Sequence, residues 1–307
     1  MAATSIQWCD HSINPIRARL KATGAVGHYC EKIASGCTRC YSSALQRRFK
    51  MPEFGSGQKR DDVEIFLDES KLEEVRKRKK PTRYFWCDMT DLFGNWVKPE
   101  WAKACFETMD STPQHTHLLL TKRPENVLSM WPAIVEKGSV IAFNDRDAKS
   151  LGVETGVLTP ATISRGNSDR KNVWIGTSVS DQATADKQIP QLALLRDLCP
   201  VLFLSVEPLL GPIKLSQPLQ CSIANDIDWL IVGGESGHNA RPCCVEWIDS
   251  IVRQCQGSSV PVFVKQFGSN SMVEETRKPM RLLDSKGGDP EEWPGPLRVR
   301  QFPKVSV

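Results

Sequence analysis

Short apolar segments alternate with stretches of helical spacing along this chain, and the alternation restricts its fold more than any other feature. The apolar segments have the composition of strands buried on both faces, and they lie at 6–8, 83–86, 117–120, 173–175, 201–204, 229–232 and 262–264. Helical spacing is clearest at 41–49, 99–109, 183–198 and 245–255. Because right-handed crossovers keep adding parallel strands, the pattern predicts an α/β fold. We expect a (β/α) barrel, partial or nearly closed, with six to seven parallel strands; a doubly wound open sheet is the competing topology.

Polar or glycine-rich clusters follow most of these predicted strands. They lie at 87–91, 121–123, 176–180, 205–208, 233–236 and 265–266. Turns are polar in most proteins, so one such cluster has little weight. Several in a row favour the barrel, because barrel active sites are built from the carboxyl ends of the strands.

Length and composition exclude fibrous, coiled-coil and disordered classes, since 40% of the 307 residues are hydrophobic and 25% are charged. No apolar run approaches the ~20 residues of a membrane span, and the first ten residues lack the basic and apolar parts of a signal peptide. We therefore expect a cytoplasmic protein without a membrane partner. We expect the barrel to span 1–277, with a cluster loop at 28–41 and a surface insertion at about 138–171. The segment 278–307 is expected to pack on the barrel as a C-terminal extension.

Three cysteines stand close together in one predicted loop. Cys30, Cys37 and Cys40 have the spacing C-x6-C-x2-C, within a chain of eleven cysteines that we interpret as thiols. Three thiolates can bind three irons of a [4Fe–4S] cluster and leave the fourth iron open. A structural zinc site is the alternative, and His28 or Cys9 would then supply the fourth ligand. Unliganded thiols are the third possibility.

A series of short motifs runs through nearly the whole chain in a fixed order. They include the cysteine loop, TDLF at 90–93, LTKRPE at 120–125, SVEPLLGPI at 205–213, GGESG at 233–237 and KQFG at 265–268. Together these motifs resemble a phage- and prophage-associated family of radical S-adenosylmethionine-like proteins. The chain departs from the wider superfamily in its C-x6-C gap, where most members have C-x3-C, and in the insertion at 138–171.

The resemblance implies a radical-SAM-like barrel whose cluster is bound by Cys30, Cys37 and Cys40. It also implies that S-adenosylmethionine chelates the open iron and yields a 5′-deoxyadenosyl radical, with electrons from a flavodoxin- or ferredoxin-type donor. By similarity, the cofactor-binding residues are Asp88, Thr90, Asp91, Ser178, Ser180, Glu207, Gly233, Gly234 and Glu235. The alternatives are a helix cap for Asp91 and a tight turn for the glycine pair.

Three further residues are candidates for catalysis. Cys87 ends the second predicted strand, where a thiol would return a hydrogen atom to a product radical; a small buried hydrophobe is the alternative. Lys122 and Lys265 would place cations at the barrel mouth, suited to a phosphate or a base edge. Ion pairing with Glu207 or Glu235 is the alternative for these lysines.

The charge distribution bears on the substrate. Residues 1–80 contain 16 basic and 10 acidic side chains, and the run at 76–80 is entirely basic. This run is either a phosphate-binding patch or a solvated helix end. We expect a radical enzyme that modifies, rearranges or repairs a nucleobase or nucleotide of phage-related DNA. The alternatives are a zinc-stabilised, non-catalytic nucleic-acid or partner-binding protein, and a radical enzyme acting on a peptide or small metabolite.

Overall fold

The computed structural model of the protein describes residues 4, 6–55, 57–134, 170–215 and 226–304. The predicted surface insertion at 138–171 lies outside these ranges, apart from its last two residues. In the part of the chain that is described, no helix combines the length and apolar character of a membrane span.

The elements follow one another along the chain in the alternation that the sequence predicts. The strands are β1 (His11–Ile13), β2 (Ile16–Leu20), β3 (Val26–Gly27), β4 (Val63–Leu67), β5 (Arg83–Trp86), β6 (Thr116–Thr121), β7 (Val173–Val179), β8 (Val201–Val206), β9 (Trp229–Gly233), β10 (Cys243–Cys244), β11 (Val262–Gln266), β12 (Ser271–Val273) and β13 (Lys278–Pro279). The α-helices are α1 (Tyr41–Leu45), α2 (Glu69–Lys77), α3 (Pro99–Asp110), α4 (Pro124–Ile134), α5 (Gln182–Ala193) and α6 (Val245–Gly257). Short 3-10 helices lie at Ser35–Cys37, Gln46–Phe49, Arg60–Asp62, Pro290–Glu292 and Gly295–Leu297.

The central sheet contains seven parallel strands in the order β1-β5-β6-β7-β8-β9-β11. Strand order follows the chain without reversal, so right-handed crossovers place the helices on one face and the sheet curls into a half-barrel. A doubly wound sheet would reverse its order at a switch point. The predicted α/β partial barrel is therefore confirmed. Two small sheets, β3-β2-β4 and β10-β12-β13, lie beside it.

The first strand differs from the prediction at 6–8. The sheet begins at β1, where His11 pairs with Tyr84, and the apolar segment before it is not a strand. Trp8 is nevertheless 2% exposed, because its ring packs on Phe85 with the ring centroids 4.6 Å apart. Trp8 thus fills part of the barrel interior, whereas Gln7 is exposed, and the segment adds no backbone pairing to the sheet.

Alternate residues of the sheet belong to two separate apolar cores. One core lies between the sheet and the helices and contains Tyr84, Trp86, Leu119, Ile175, Leu202, Leu230 and Val262. The other lies on the concave face and contains Trp8, Phe85, Leu118, Trp174, Phe203, Trp229, Ile231 and Phe263. The period-two alternation explains this division, and it decides which side chains beyond the strand ends point into the barrel.

The C-terminal segment runs along the edge of the sheet at β11. The amide of Val264 donates to the Val299 carbonyl at 2.8 Å, and the Gln301 amide donates to the Val262 carbonyl at 3.0 Å. Phe302 stacks on Trp229 with a centroid distance of 5.2 Å. The segment therefore covers part of the concave core with an aromatic side chain.

Candidate functional site

The cysteine loop lies across the carboxyl ends of the parallel strands. The Thr90 hydroxyl, after β5, donates to the Tyr29 carbonyl at 2.5 Å. The Ser35 hydroxyl donates to Asp181 Oδ2, after β7, at 2.5 Å. Arg241, after β9, donates from Nη1 to the Ser35 carbonyl at 2.8 Å. Residues following three different strands thus hold the loop at the edge where barrel enzymes build their active sites.

Arg241 is itself held by Glu235. The Arg241 Nε donates to Glu235 Oε2 at 3.0 Å, and its Nη2 and Glu235 Oε1 are 2.5 Å apart. Burial raises the pKa of Glu235, but the hydrogen bonds and charge of Arg241 outweigh burial and lower it overall. Glu235, predicted to contact the cofactor, therefore orients the arginine that fixes the loop. No feature of the sequence alone indicates this role for Arg241.

The three loop cysteines have different degrees of burial. Cys37 is buried, whereas Cys30 and Cys40 are half-buried. Burial, followed by the negative charges of Asp91 and Cys40, raises the pKa of the Cys30 thiol well above its usual range. A bound metal reverses this preference, because the ligand form of cysteine is the thiolate. Without a cation, thiolates in this loop repel one another, because the negative charges of Cys40 and Cys37 act on Cys30.

The loop supplies three thiols, the donor type that binds iron–sulfur clusters. Across the described ranges, no group of three or more histidine, cysteine, aspartate or glutamate side chains is arranged to hold a metal ion. The cysteines of a four-iron cluster bind three different irons, so their sulfur atoms need not converge on one point. The loop also approaches β7 closely, since a Cβ on Gly36 would lie 2.3 Å from Ser180 Oγ. Ser180 thus contacts the loop backbone, and its predicted contact with cofactor stays a prediction.

Asp91 is the most enclosed of the predicted cofactor-binding carboxylates. Its Oδ1 accepts hydrogen bonds from the Thr121 hydroxyl at 2.8 Å and the Phe93 amide at 3.0 Å. Its Oδ2 accepts from the Lys122 amide at 3.1 Å and lies 3.4 Å from Arg123 Nη1. The carboxylate therefore joins the ends of β5 and β6. These partners occupy most of the hydrogen-bonding capacity of the Asp91 carboxylate. Its predicted contact with S-adenosylmethionine stays a prediction.

Asp88 lies between the first strand and the helix that follows the cysteine loop. Its Oδ1 accepts from Asn14 Nδ2 at 2.5 Å, and its carbonyl accepts from the hydroxyls of Tyr41 at 3.0 Å and Ser42 at 2.7 Å. Burial raises the pKa of Asp88, and the hydrogen bonds from Asn14 and neighbouring hydroxyls only partly oppose it. Asp88 therefore fixes the start of α1 against the β5 end.

Four polar side chains meet on the concave side of the strand ends. Lys122 Nζ donates to Ser178 Oγ at 2.8 Å, and Ser178 Oγ donates to the Glu207 carbonyl at 3.2 Å. Lys265 Nζ lies 3.0 Å from Glu207 Oε1. All four residues keep the alternation of the concave core at the carboxyl ends of β6, β7, β8 and β11, which explains why they converge. Gly233 permits this approach, because a Cβ there would lie 2.8 Å from Glu207 Oε1.

The charges of this group do not cancel. It contains two ammonium groups and one carboxylate, and among the described residues Lys122 forms no ion pair with a carboxylate. Gly234 lets the backbone after β9 approach the backbone after β11, since a Cβ there would lie 2.1 Å from the Phe267 carbonyl oxygen. The concave site can therefore accept an anionic group, such as a carboxylate or a phosphate.

The structure places Cys87 away from this group of side chains, and its predicted role in hydrogen transfer stays a prediction. By alternation from Phe85 it would face the barrel, but its φ of +58° ends the extended conformation and directs it into the helix-facing core. Burial, followed by the proximity of Cys105, raises its pKa well above the usual value. Cys9 belongs to the concave core, where it packs with the interior aromatic residues. Burial, followed by the negative charge of Asp88, raises the pKa of Cys9 to about 12.

The basic run at 76–80 lies at the opposite edge of the sheet. It spans the end of α2 and the connection to β5, and therefore the amino ends of the strands. Arg76 Nη2 donates to Thr108 Oγ1 at 2.7 Å, and Arg78 Nε donates to Thr82 Oγ1 at 2.7 Å. The predicted nucleic-acid contact through this run stays a prediction. The run lies at the amino ends of the strands, whereas the concave polar site lies at their carboxyl ends.

A family model described as "Protein of unknown function (DUF5131)" matches residues 3–290. The chain belongs to the DUF5131 family. No curated protein matches this family member. Among solved structures, it is similar to a spore photoproduct lyase mutant with bound AdoMet and dinucleoside spore photoproduct, at a TM-score of 0.40 and 9% sequence identity. The match covers 82% of this chain and 62% of that chain, so this DUF5131 member spans less than two thirds of the lyase's length.

Proposed function

We propose that the protein is a radical S-adenosylmethionine enzyme whose [4Fe–4S] cluster is bound by Cys30, Cys37 and Cys40. The observation that carries the proposal is the attachment of the cysteine loop to residues after β5, β7 and β9. A loop that only stabilised the fold would not need to span the edge at which barrel enzymes perform chemistry. When bound, the cluster with S-adenosylmethionine supplies one-electron reductive cleavage of a sulfonium carbon–sulfur bond.

The residues of the half-barrel have distinct roles under this proposal. Lys122 binds a carboxylate or phosphate, and Ser178 orients its ammonium group by a 2.8 Å hydrogen bond. Glu207 holds Lys265 in place and offers an acceptor to hydroxyl or amino groups. The aromatic concave core beneath them excludes water, which protects a reactive radical from side reactions.

For the substrate, we propose a nucleobase or nucleotide of phage-related DNA. The excess positive charge of the concave site suits a phosphate, and the aromatic side chains below it suit the face of a base. A base within a duplex must leave the stack to reach such a site. A peptide or small anionic metabolite would satisfy the same lysines, so the substrate needs its own experiment.

The cofactor proposal is tested by purifying the protein without oxygen. We expect about four irons per chain and a brown colour that dithionite bleaches. S-adenosylmethionine added together with dithionite, which supplies the electron, should then yield methionine and 5′-deoxyadenosine, which chromatography detects. Cys37→Ala should lose most of the iron, whereas Cys255→Ala, a buried cysteine on α6, should retain it. A colourless protein with one tightly bound zinc would contradict the proposal and favour the zinc-stabilised binding protein.

The substrate proposal is tested by comparing ligands in the same reaction. An oligonucleotide or nucleotide should increase the yield of 5′-deoxyadenosine and acquire a mass change, because radical cleavage couples to substrate. A peptide library and free amino acids provide the comparison. Stimulation by these ligands alone would contradict a nucleic-acid substrate while leaving the cofactor proposal intact.

A further inference from the structure

We infer that Arg123 is the positioning residue of Cys30 and that its charge makes the cluster easier to reduce. The inference rests on the proposed function, because it concerns reduction of the cluster that the loop cysteines would bind. Arg123 follows β6 in the LTKRPE motif, directly after Lys122. Lys122 donates to Ser178 on the concave side, whereas Arg123 donates to the cysteine loop. The two neighbouring cations therefore serve different parts of the site.

Arg123 joins a carboxylate of the cysteine loop to a carboxylate at the strand ends. Its Nη2 donates to Glu31 Oε2 at 3.1 Å, and its Nη1 lies 3.4 Å from Asp91 Oδ2. Glu31 directly follows Cys30 in the chain, and Asp91 joins the ends of β5 and β6. The guanidinium group therefore ties the residue beside Cys30 to the strand ends.

The part of the loop around Cys30 needs an anchor of its own. Six residues separate Cys30 from Cys37, and the two anchors at Ser35 lie near Cys37. At the other end, Thr90 holds the backbone before Cys30, and Arg123 holds the side chain after it. Loss of Arg123 should therefore displace Cys30 more than Cys37.

The surroundings of Arg123 protect its charge from screening by solvent. Its side chain is 6% exposed, and its guanidinium carbon lies 4.8 Å from the centroid of the buried Trp96 ring. Gly94 leaves room for that ring, because a Cβ there would lie 2.4 Å from Trp96 Cζ2. A charge enclosed in this way acts strongly on its neighbours, since the local dielectric constant is far below that of water.

Cys30 lies within the electric field of this group. Burial and then the charge of Asp91 raise the pKa of the Cys30 thiol, and the charge of Arg123 opposes them. Reduction transfers one electron from the reductant to the cluster and so adds one negative charge beside the same groups. A positive charge here stabilises the reduced form, and a negative charge disfavours it. Arg123 and Glu31 should therefore shift the reduction equilibrium in opposite directions.

The test compares three variants of this group with a control. Arg123→Met removes both the charge and the link between the carboxylates, whereas Arg123→Lys keeps only the charge. Glu31→Gln removes a negative charge and keeps an oxygen that can accept from Arg123. Arg253→Met is the control, because Arg253 lies on α6 with 76% of its side chain exposed.

Potentiometric titration without S-adenosylmethionine, followed by the electron paramagnetic resonance of the reduced cluster, measures the charge effect. We expect Arg123→Met to make reduction about tenfold less favourable, which corresponds to a midpoint about 59 mV lower for one electron. Arg123→Lys should stay within about threefold of the parent protein, because the charge is kept. Glu31→Gln should make reduction about twofold to threefold more favourable, a smaller effect because the Glu31 side chain is 40% exposed. Arg253→Met should leave the midpoint unchanged.

Iron and sulfide per chain after reconstitution measure the positioning effect. Arg123→Met should retain less iron than the parent protein, because Cys30 is no longer held at the strand ends. Arg123→Lys should fall between them, since one ammonium group cannot bridge both carboxylates as the guanidinium does. Glu31→Gln and Arg253→Met should retain the iron of the parent protein.

The signs of the two shifts in midpoint decide the inference. A purely structural role would lower the iron content without moving the midpoint of the clusters that form. Equal midpoints for the parent protein, Arg123→Met and Glu31→Gln would overturn the inference, and so would shifts of the same sign. If Arg123→Met does not fold or retains no iron, an unchanged or lower midpoint in Glu31→Gln overturns it. Absence of iron from the parent protein would overturn the proposed function, and the inference with it.

Discussion

A single methyl group at Gly36 should displace the cysteine loop. The Cβ of an alanine there would lie 2.3 Å from Ser180 Oγ and 3.4 Å from Pro208 Cδ. Ordinary contacts begin at about 3.4 Å, so the loop or Ser180 must move by about an ångström. Ser180 is 1% exposed and has little room to adapt. Overpacking of this kind costs about 1–3 kcal/mol, so Gly36→Ala should lower the unfolding free energy by that amount.

Removing the hydroxyl of Ser180 should relieve the overlap. Without Oγ, the nearest Ser180 atom is its Cβ at 3.5 Å from the new methyl group, which is an ordinary contact. The double variant Gly36→Ala/Ser180→Ala should therefore recover most of the loss, with a coupling of about 1–2 kcal/mol. Gly257→Ala is the matched control, because nothing lies within 4 Å of its Cβ position.

Two measurements report on this prediction. Urea unfolding of the iron-free variants gives the change in stability, and iron and sulfide per chain after reconstitution give the integrity of the loop. We expect Gly36→Ala to lose iron and the double variant to regain it. If Gly36→Ala matches Gly257→Ala in both stability and iron, the loop does not rest on β7 and the reasoning is refuted.

Three other perturbations test the electrostatics of the site. Asp91→Ala removes one of the two carboxylates that pair with buried Arg123 and deprives the Phe93 and Lys122 amides of their acceptor, so it should cost about 3 kcal/mol in urea unfolding. Glu64→Ala, which breaks an exposed pair, should cost under about 1 kcal/mol. Burial lowers the pKa of His28 from 6.5 to about 3, so the unfolded chain binds a proton that the native chain excludes. Exclusion of this proton should therefore lower the unfolding free energy by about 1.4 kcal/mol per pH unit as pH drops through this window. Burial shifts the pKa of His117 in the same way, so His28→Gln should reduce the slope of urea titrations between about pH 6 and pH 4 by about that amount without abolishing it. Lys122→Met should weaken the binding of S-adenosylmethionine or substrate in calorimetry, whereas Lys122→Arg should retain it. If the two variants bind these ligands with the same affinity, Lys122 does not bind an anion.

The alternation of apolar strands and helical spacing was sufficient to predict a parallel α/β sheet and to favour a partial or nearly closed barrel over a doubly wound sheet; the structure has the half-barrel, with its strands in chain order. Local hydrophobic periodicity determines which segments are buried on both faces, and crossover handedness then limits the topology. The same alternation placed polar clusters at the carboxyl ends of the strands. It also brought Lys122, Ser178, Glu207 and Lys265 to one side, because each keeps the parity of the concave core.

Alternation could not predict the residues that lie beyond regular structure. Cys87 has the parity of the barrel interior, yet its left-handed backbone turns it toward the helices. Trp8 lies in an apolar segment that is typical of strands, but the first strand begins at His11. Once the chain leaves a strand, side-chain direction depends on each φ and ψ, and periodicity no longer carries that information.

Only the tertiary structure decided how the cysteine loop is held. Ser35 bonds to Asp181, which is 146 residues away, and Arg241 bonds to Ser35 across 206 residues. Such contacts leave no pattern in neighbouring residues, because they arise only when the strand ends come together at one edge of the sheet. The spacing of Cys30, Cys37 and Cys40 determined that three thiols share a loop. The curled sheet determined that this loop lies above a concave, positively charged site.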